Sequence, residues 1–194
     1  VDDSIADGDQ QATFTVEVKD GESHDAYDDV ANQSVTATNT DDETAGFTLS
    51  TTSVSVTEAG GTDTFTVVLD AEPAGDVVIR SYSSDSGEAQ VGAPLTFTDS
   101  NWDTPQAFTI TGVDDSIADG DQQATFTVEV KDGESHDAYD DVANQSVTAT
   151  NTDNETAGFT LSTTSVSVAE TGTTAQFTVV LDAEPVSDVV IWSA

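Results

Sequence analysis

The sequence predicts an all-β protein, an antiparallel β-sandwich in tandem repeat. Residues Val1–Thr44 return as Val113–Thr156 with a single difference, Asp42 against Asn154, so the chain repeats with a period of 112 residues. Apolar and polar residues alternate with period two, as in residues 123–131, which is typical of half-buried strands. Turn residues separate these stretches, and no helical stripe of any length occurs.

Seven strands are predicted in each repeat, and their Thr, Val and Ser content suits extended backbone. The turns between them are indicated by clusters of Asp, Gly and Pro. This number of short strands in a unit of roughly 110 residues is typical of an immunoglobulin-like sandwich. The predicted strands lie near residues 47–57, 63–69, 76–82, 89–97, 106–112, 123–131 and 144–151.

The repeat is expected to begin near Ala45, because the TAGFTLS motif there follows an acidic, turn-like stretch and returns at Ala157. Residues 1–44 then supply the last two strands of one repeat, residues 45–156 a complete repeat, and residues 157–194 the first three strands of the next. Neither half closes a sandwich alone. We therefore expect the flanking pieces to be disordered or to be completed by strands of neighbouring molecules.

Acidic residues outnumber basic ones by 38 to 3, and the formal net charge is −35. A uniformly negative surface repels nucleic acid and anionic membranes, so neither is expected as a partner. The chain has no cysteine for disulfides or thiolate metal sites and no apolar run long enough for membrane insertion. Cations are the expected partners of such a surface.

Alternating strand direction determines which loops share an end of the sandwich. The first strand runs towards one end of the sandwich, and we name this end the upper end. The first, third and fifth loops lie there with the exit of the seventh strand. Their acidic residues are Glu58, Asp85, Glu88, Asp114, Asp115, Asp119, Asp121, Asp153 and Glu155. The opposite, lower end collects Asp70, Glu72, Asp76, Asp99, Asp103, Asp132, Glu134, Asp137, Asp140 and Asp141.

Clustered loop carboxylates are the ligands that Ca²⁺ prefers, because it takes six to eight oxygens in flexible geometry. Asp114 and Asp115 directly follow a strand, and Asp119 and Asp121 close the same short loop, so their repulsion favours a cation between them. The alternative is a solvated acidic surface. The earlier copy offers a second candidate ligand set, Asp2, Asp3, Asp7, Asp9, Asp41, Asp42 and Glu43. The long sixth loop offers possible junction contacts to the preceding repeat through Asp137, Asp140 and Asp141.

Four motifs of the repeat together resemble the Calx-β fold: VSVTEAGGTDTFTVVLD, SSDSGEA, PLTFT and VDDSIADGD. The resemblance covers the complete repeat and both halves. It implies calcium binding by acidic residues after the first strand, in the third loop, after the fifth strand and at the end of the last strand. The matching positions are Glu58, Asp85, Asp114 with Asp115, and Asp153 with Glu155. Asn154 departs from the acidic run, where the earlier copy has Asp42.

Near-identical tandem copies rich in Asp and Thr and free of Cys are similar to the extender region of giant bacterial repeats-in-toxin (RTX) adhesins. This resemblance implies a calcium-binding structural spacer on the bacterial cell surface, active in cell adhesion and biofilm formation. Several ions per repeat would stiffen the junctions between neighbouring repeats into a rod, and other domains would bind the distal ligand. The alternatives are a ligand- or cell-binding adhesin module and a calcium-sensing Calx-β regulatory domain.

Catalysis is not expected. The one histidine of each repeat, His24 and its copy His136, lies on the acidic sixth loop without a cysteine or a GxSxG motif to serve as nucleophile. The aromatic residues are too scattered to line a sugar-binding cleft. Trp102 is expected to close the lower end of the core.

Overall fold

The structure is a computed structural model that describes residues 3–19, 21–27 and 29–193. Within these ranges the regular structure is β-strand apart from two single-turn 3-10 helices, Asp25–Tyr27 and Asp137–Tyr139. No helix in the described ranges is long and apolar enough to cross a membrane. The strands are β1 (Ile5–Ala6), β2 (Gln10–Val16), β3 (Gln33–Asn39), β4 (Phe47–Leu49), β5 (Ser53–Thr57), β6 (Thr62–Leu69), β7 (Glu72–Pro73), β8 (Val77–Ser83), β9 (Ala89–Val91), β10 (Leu95–Phe97), β11 (Gln106–Gly112), β12 (Gln122–Val130), β13 (Gln145–Thr152), β14 (Phe159–Leu161) and β15 (Val179–Leu181).

Residues 45–156 form a sandwich of two sheets, which confirms the predicted fold class. One sheet has the strand order β10-β8-β12-β13-β5, and the other has the order β4-β6-β11-β9. Apolar side chains of both sheets meet between them in one cluster that includes Phe65, Val67, Ile79, Phe108 and Phe126. The rings of Phe65 and Phe108 lie 5.4 Å apart. Trp102 packs against this cluster as expected.

Two predicted strands are each divided between the sheets. The strand expected over residues 47–57 breaks at residues 50–52, so that β4 pairs with β6 and β5 pairs with β13. The strand expected over residues 89–97 breaks at Gly92–Pro94 into β9 and β10. A proline donates no ladder hydrogen bond, so Pro94 suits this break.

The pairing of β5 with β13 is parallel, whereas the sequence predicts antiparallel pairing throughout. Its register runs from Ser53 opposite Thr148 to Thr57 opposite Thr152. Two parallel strands end at the same edge of a sheet. The residues that follow them, Glu58 and Asp153, are therefore neighbours at the upper end of the sandwich.

Gly112, the last residue of β11, closes the upper end tightly against β5 and β13. A Cβ atom at this position would clash with the backbone carbonyl of Thr57 and lie 2.6 Å from Oδ1 of Asn151. Only glycine allows this approach. The fifth loop therefore begins directly against the ends of the two parallel strands.

Tyr139 closes the lower end of the core from the sixth loop. Its ring is fully buried, and its hydroxyl donates a hydrogen bond of 2.6 Å to the backbone carbonyl of Ala71. Burial is the main reason that the pKa of this phenol rises to about 12. The phenol is therefore a stable hydrogen-bond donor at neutral pH.

We expect Tyr139→Phe to cost roughly 1–3 kcal/mol of unfolding free energy, because the buried Ala71 carbonyl loses its donor. Tyr27 is the copy of Tyr139 in the preceding repeat, and it is exposed. Tyr27→Phe is the matched control, with an expected change within about 0.5 kcal/mol. Urea unfolding of the two variants measures both values, and equal effects would contradict the account.

The flanking pieces form separate hairpins whose apolar residues face solvent. In residues 3–43, β2 pairs with β3, and in residues 157–193, β14 pairs with β15. Phe14 of β2 is 59% exposed, whereas its copy Phe126 is fully buried. Identical sequence thus has opposite environments, because only the complete repeat supplies the facing sheet.

Candidate metal site

The upper end of the complete repeat gathers four chain segments. They are the turn after β5, the turn after β8, the loop of residues 113–121 and the residues after β13. Backbone hydrogen bonds join them: the amide of Glu58 donates to the carbonyl of Thr152 (3.2 Å), and the amide of Val113 donates to the carbonyl of Glu88 (2.9 Å). The acidic side chains of these segments are therefore positioned by main-chain contacts.

Glu58, Asp153 and Glu155 form the most compact acidic group, which we name the three-carboxylate group. Each offers one carboxylate oxygen, and these oxygens lie within 4.8 Å of one another. Oxygens that bind one Ca²⁺ at about 2.4 Å can be at most about 4.8 Å apart, so the spacing suits a single ion. Glu58 is only 1% exposed, whereas Asp153 and Glu155 are half-buried.

Burial raises the pKa of Glu58 to about 7, and a hydrogen bond with Glu155 and the charges of Asp115 and Asp153 act in the same direction. The amide of Asn154 donates to Glu58 at 3.3 Å and opposes the shift. Without a cation, the neutral form of the Glu58 carboxyl is therefore favoured relative to that of an exposed glutamate. A divalent cation would displace the proton of this neutral form, because ligating carboxylates must be ionised.

Asp153 is held in its charged form by the backbone around it. Its carboxylate accepts hydrogen bonds from the amides of Glu155 and Gly120, both of 2.6 Å, and these lower its pKa. Gly120 adopts a φ of 78°, which glycine reaches without strain. The amide of Asp153 in turn donates to Asp121 at 3.2 Å. Asp153 thus joins the loop of residues 113–121 to the end of β13.

Glu88, which the sequence placed at the upper end without assigning it as a ligand, and Asn151, which the sequence analysis did not single out, extend the site. Asn151 is completely buried, and its side-chain nitrogen donates to the carbonyl of Val113 (3.0 Å) and to Glu88 (3.3 Å). Burial is the largest cause of the raised pKa of Glu88, and Asp119, Asp85 and Asp115 add to it. The signal for Asn151 was present in the sequence, because it continues the inward-facing alternation of Val147 and Ala149.

The remaining predicted ligands of this repeat surround the three-carboxylate group without belonging to it. Asp85 accepts from the amide of Gly87 (2.9 Å), and Asp115 accepts from the amide of Ile117 (2.7 Å). The Asn154 side chain lies 3.3 Å from Asp114. Asp119 influences Glu88 through its charge. Asp85 and Asp115 thus cap their own turns while placing negative charge near the buried Glu58 and the half-buried Glu88.

The earlier copy repeats part of this arrangement. The Asp41 carboxylate accepts hydrogen bonds from the amides of Gly8 (2.5 Å), Asp7 (3.1 Å) and Glu43 (3.0 Å), and its pKa is lowered. Its own amide donates to Asp9 at 3.0 Å. A cavity of about 200 Å³ there is lined by Asp3, Asp7, Gly8, Gln10, Asn39, Thr40, Asp41, Asp42 and Glu43. Asp2 lies outside the described residues. Residues 1–44 contain no counterpart of Glu58.

A cleft of about 400 Å³ separates this copy from the complete repeat. The earlier copy lines it with Ala6, Gly8, Asp41, Glu43 and Thr44, and the complete repeat lines it with Ala45, Ala138, Asp141 and Val142. Of the three possible junction residues, Asp141 therefore faces the earlier copy. Asp137 and Asp140 do not line the cleft. Burial raises the pKa of Asp140, and the charges of Asp132, Asp137 and Asp141 raise it further.

The basic residues of the sequence lie away from these acidic groups. Lys19 pairs with Glu22, Arg80 with Glu129, and Lys131 with Glu134. All three Lys and Arg side chains of the sequence thus form ion pairs elsewhere, and among the described residues none lies with the acidic groups of the upper end. The donor set, carboxylate oxygens with a buried Glu58, fits a hard cation such as Ca²⁺.

In a chelator, we expect the melting temperature of the complete repeat to fall as the pH rises from about 5 to 8. The folded pKa of Glu58, about 7, lies above its ordinary value of 4.5, so its contribution to stability is lost across that interval. The raised pKa of Glu88 acts in the same direction. The lowered pKa of Asp153 affects stability only in more acidic solution. Calorimetry in chelator at several pH values measures the melting temperature. A melting temperature that rises from pH 5 to pH 8 would contradict the prediction.

No family model and no curated protein matches this sequence. Among solved structures, the chain is similar to the E. coli chaperone DraB, with a TM-score of 0.41, 9% identity, and coverage of 59% of this chain and 60% of DraB. It is also similar to the S-layer protein SbsC, with a TM-score of 0.41, 16% identity, and coverage of 78% of this chain and 18% of SbsC. A third is WR4, a C. elegans MSP family member, with a TM-score of 0.35, 11% identity, and coverage of 55% of this chain and 95% of WR4.

These TM-scores and identities are too low to contribute to an assignment of function. The chain also spans less than two thirds of DraB and of SbsC. The fold and the site define a class: an all-β sandwich in tandem repeat whose described residues include an acidic group that could hold a metal ion.

Proposed function

We propose that the chain is part of a calcium-stabilised structural spacer, the extender of a bacterial cell-surface adhesin. The three-carboxylate group carries this proposal. It places a buried glutamate beside two half-buried carboxylates at the end of the repeat that meets the next one. A glutamate in such a place is costly to ionise unless a cation binds it. Calcium supplies that charge and stabilises the upper end.

Several ions per repeat belong to the proposal. The first occupies the three-carboxylate group. Glu88 lies among the charges of Asp85, Asp115 and Asp119 and would contribute to a second ion. At the cleft between repeats, Asp41 and Glu43 face Asp141 across a space large enough for a hydrated cation. Ions at these positions would neutralise the ends that successive repeats bring together.

The proposed role is mechanical and requires no catalysis. Neighbouring repeats of the same chain are the direct partners, and other domains bind the distal ligand. A sandwich with strands of about eight residues at about 3.3 Å each, with its loops, adds roughly 40 Å to a rod. Removal of calcium would restore repulsion between the carboxylates and loosen the rod. The proposed location is outside the cell, at the bacterial surface.

Small-angle X-ray scattering of four repeats of residues 45–156 in tandem tests this proposal. With Ca²⁺ we expect a maximum dimension of roughly 160 Å, from about 40 Å per repeat, and with chelator a more compact, more variable ensemble. The double variant Asp153→Asn with Glu155→Gln, which removes two charges of the three-carboxylate group, is expected to resemble the chelated protein in Ca²⁺. An unchanged scattering curve and an unchanged melting temperature on chelation would refute the spacer mechanism.

A further inference from the structure

Two short segments meet at each junction between repeats, and the same contact occurs twice in the chain. We name residues Ser4–Ala6 and their copy Ser116–Ala118 the docking strand. We name residues Ala71–Pro73 and their copy Ala183–Pro185 the Ala-Glu-Pro segment. The docking strand belongs to the fifth loop of one repeat. The Ala-Glu-Pro segment belongs to the next repeat, where it follows β6 in the complete repeat and β15 in residues 157–193.

At the first junction, the two segments pair as parallel strands, with Ile5 opposite Glu72 and Ala6 opposite Pro73. The amide of Glu72 donates to the carbonyl of Ser4 at 2.8 Å, and the Ser4 hydroxyl donates to the Glu72 carboxylate at 2.6 Å. Both a main-chain and a side-chain hydrogen bond therefore link one serine to one glutamate.

The second junction has the same geometry. Ile117 lies opposite Glu184 in a parallel bridge. The amide of Glu184 donates to the carbonyl of Ser116 (2.7 Å), the amide of Ala118 donates to the carbonyl of Glu184 (3.1 Å), and the Ser116 hydroxyl donates to the Glu184 carboxylate (3.1 Å). The contact forms here although residues 157–193 make only a hairpin, so it does not require the complete following sandwich.

Three of these four segments also form a hydrogen bond within their own repeat. Asp3 and Asp115 accept hydrogen bonds from the amides of Ile5 and Ile117, which fixes the start of each docking strand. On the opposite side, the buried Tyr139 hydroxyl holds the carbonyl of Ala71. Preorganised partners lose less conformational entropy on association.

From this repeated contact, we propose that the Ala-Glu-Pro segment docks as an added strand on the fifth loop of the preceding repeat and thereby sets the alignment of successive repeats. The contact is specific because a serine hydroxyl and a glutamate carboxylate meet at one register position. Main-chain pairing provides the attachment, and the charge-assisted side-chain bond selects the register. The docking needs no cation, because each of these hydrogen bonds joins protein groups.

Amide hydrogen exchange by NMR on the whole chain tests the proposal in chelator and in Ca²⁺. We expect the amides of Glu72, Glu184 and Ala118 to be protected at least about tenfold in both conditions. Ser116→Ala removes one hydroxyl and no charge, and it should lower the protection of Glu184 and Ala118 by about fivefold. Glu72 should keep its protection in this variant. Ser4→Ala is the mirror control, with loss of protection at Glu72 alone.

A second comparison separates the pairing from simple loss of charge. Glu184→Gln keeps the backbone amide and removes the carboxylate charge, whereas Glu184→Pro removes the amide donor together with the carboxylate and keeps the carbonyl that accepts from Ala118. We expect a larger loss of protection at Ala118 with proline than with glutamine, because only proline also breaks the main-chain hydrogen bond to the carbonyl of Ser116. Combined with Ser116→Ala, the Glu184→Gln variant should show non-additive effects, because the two side chains bond to each other.

Three outcomes would overturn the inference. The first is that the amides of Glu72 and Glu184 exchange at unprotected rates in Ca²⁺, and the second is that Ser116→Ala changes the protection of neither Glu184 nor Ala118. The third is protection that exists in Ca²⁺ and vanishes in chelator, which would make docking a consequence of cation binding. This third outcome leaves the proposed spacer function intact. Conversely, protection in both conditions without any calcium binding would reject the spacer function and leave the docking contact.

Discussion

Glu58→Gln is expected to weaken calcium binding by at least about tenfold while stabilising the repeat in chelator. In the proposed site the carboxylate of Glu58 would bind the cation, and without a cation its ionisation is unfavourable, because burial raises its pKa to about 7. Glutamine keeps the shape and accepts the hydrogen bond from the amide of Asn154. At pH 8 in chelator, the melting temperature should therefore rise by roughly 3–5 °C.

Glu170→Gln is the matched control for this variant. Glu170 is the copy of Glu58 in the following repeat, and its side chain is exposed. We expect little change in melting temperature from this substitution in either condition. Calorimetric titration with Ca²⁺ and thermal melting in chelator measure the two effects of Glu58→Gln. If the Glu58→Gln protein binds calcium as tightly as the original, Glu58 is not a calcium ligand.

Phe126→Ala is expected to cost about 3–5 kcal/mol of unfolding free energy, because a fully buried ring leaves a cavity between the two sheets. Phe14→Ala replaces the same residue in the same local sequence, at a position that is 59% exposed. Its expected cost is within about 0.5 kcal/mol. Chemical denaturation of the two variants measures this contrast directly.

The comparison of these two phenylalanines tests the division of the chain into one complete repeat and two partial ones. If both substitutions are equally costly, residues 3–43 bury their hairpin in a folded core of their own or of a second molecule. If both are harmless, the sandwich of residues 45–156 is not the cooperative unit. Either result would contradict the organisation described above.

Strand periodicity predicted most of the sandwich. The alternation in β6, β11, β12 and β13 placed these strands to within about a residue, because each keeps one face towards the core along its whole length. The alternation changes phase within residues 47–57, because β4 buries Phe47 whereas β5 buries Val54 and Val56. This change of phase indicates a break in the strand, but periodicity does not show which sheet each part joins, so the parallel pairing of β5 with β13 was missed. That pairing is what brings Glu58 beside Asp153.

Strand direction predicted which acidic residues share an end, but the sequence did not distinguish their roles. Glu58 is buried because β5 ends beneath the residues that follow β13. That position of β5 depends on the change from one sheet to the other between β4 and β5. The sequence did not distinguish Asp115 from its neighbour Asp114, whereas in the structure Asp115 caps the start of the docking strand. The contact of Ser116 with Glu184 joins residues 68 positions apart and has no periodic signal.

A crystal structure of residues 45–156 grown in calcium, with anomalous scattering measured for the ion, tests the central claim most directly. We predict an anomalous peak among Glu58, Asp153 and Glu155, with oxygen ligands at about 2.3–2.6 Å. The contradictory result is the absence of a peak among these three carboxylates in calcium-rich solution.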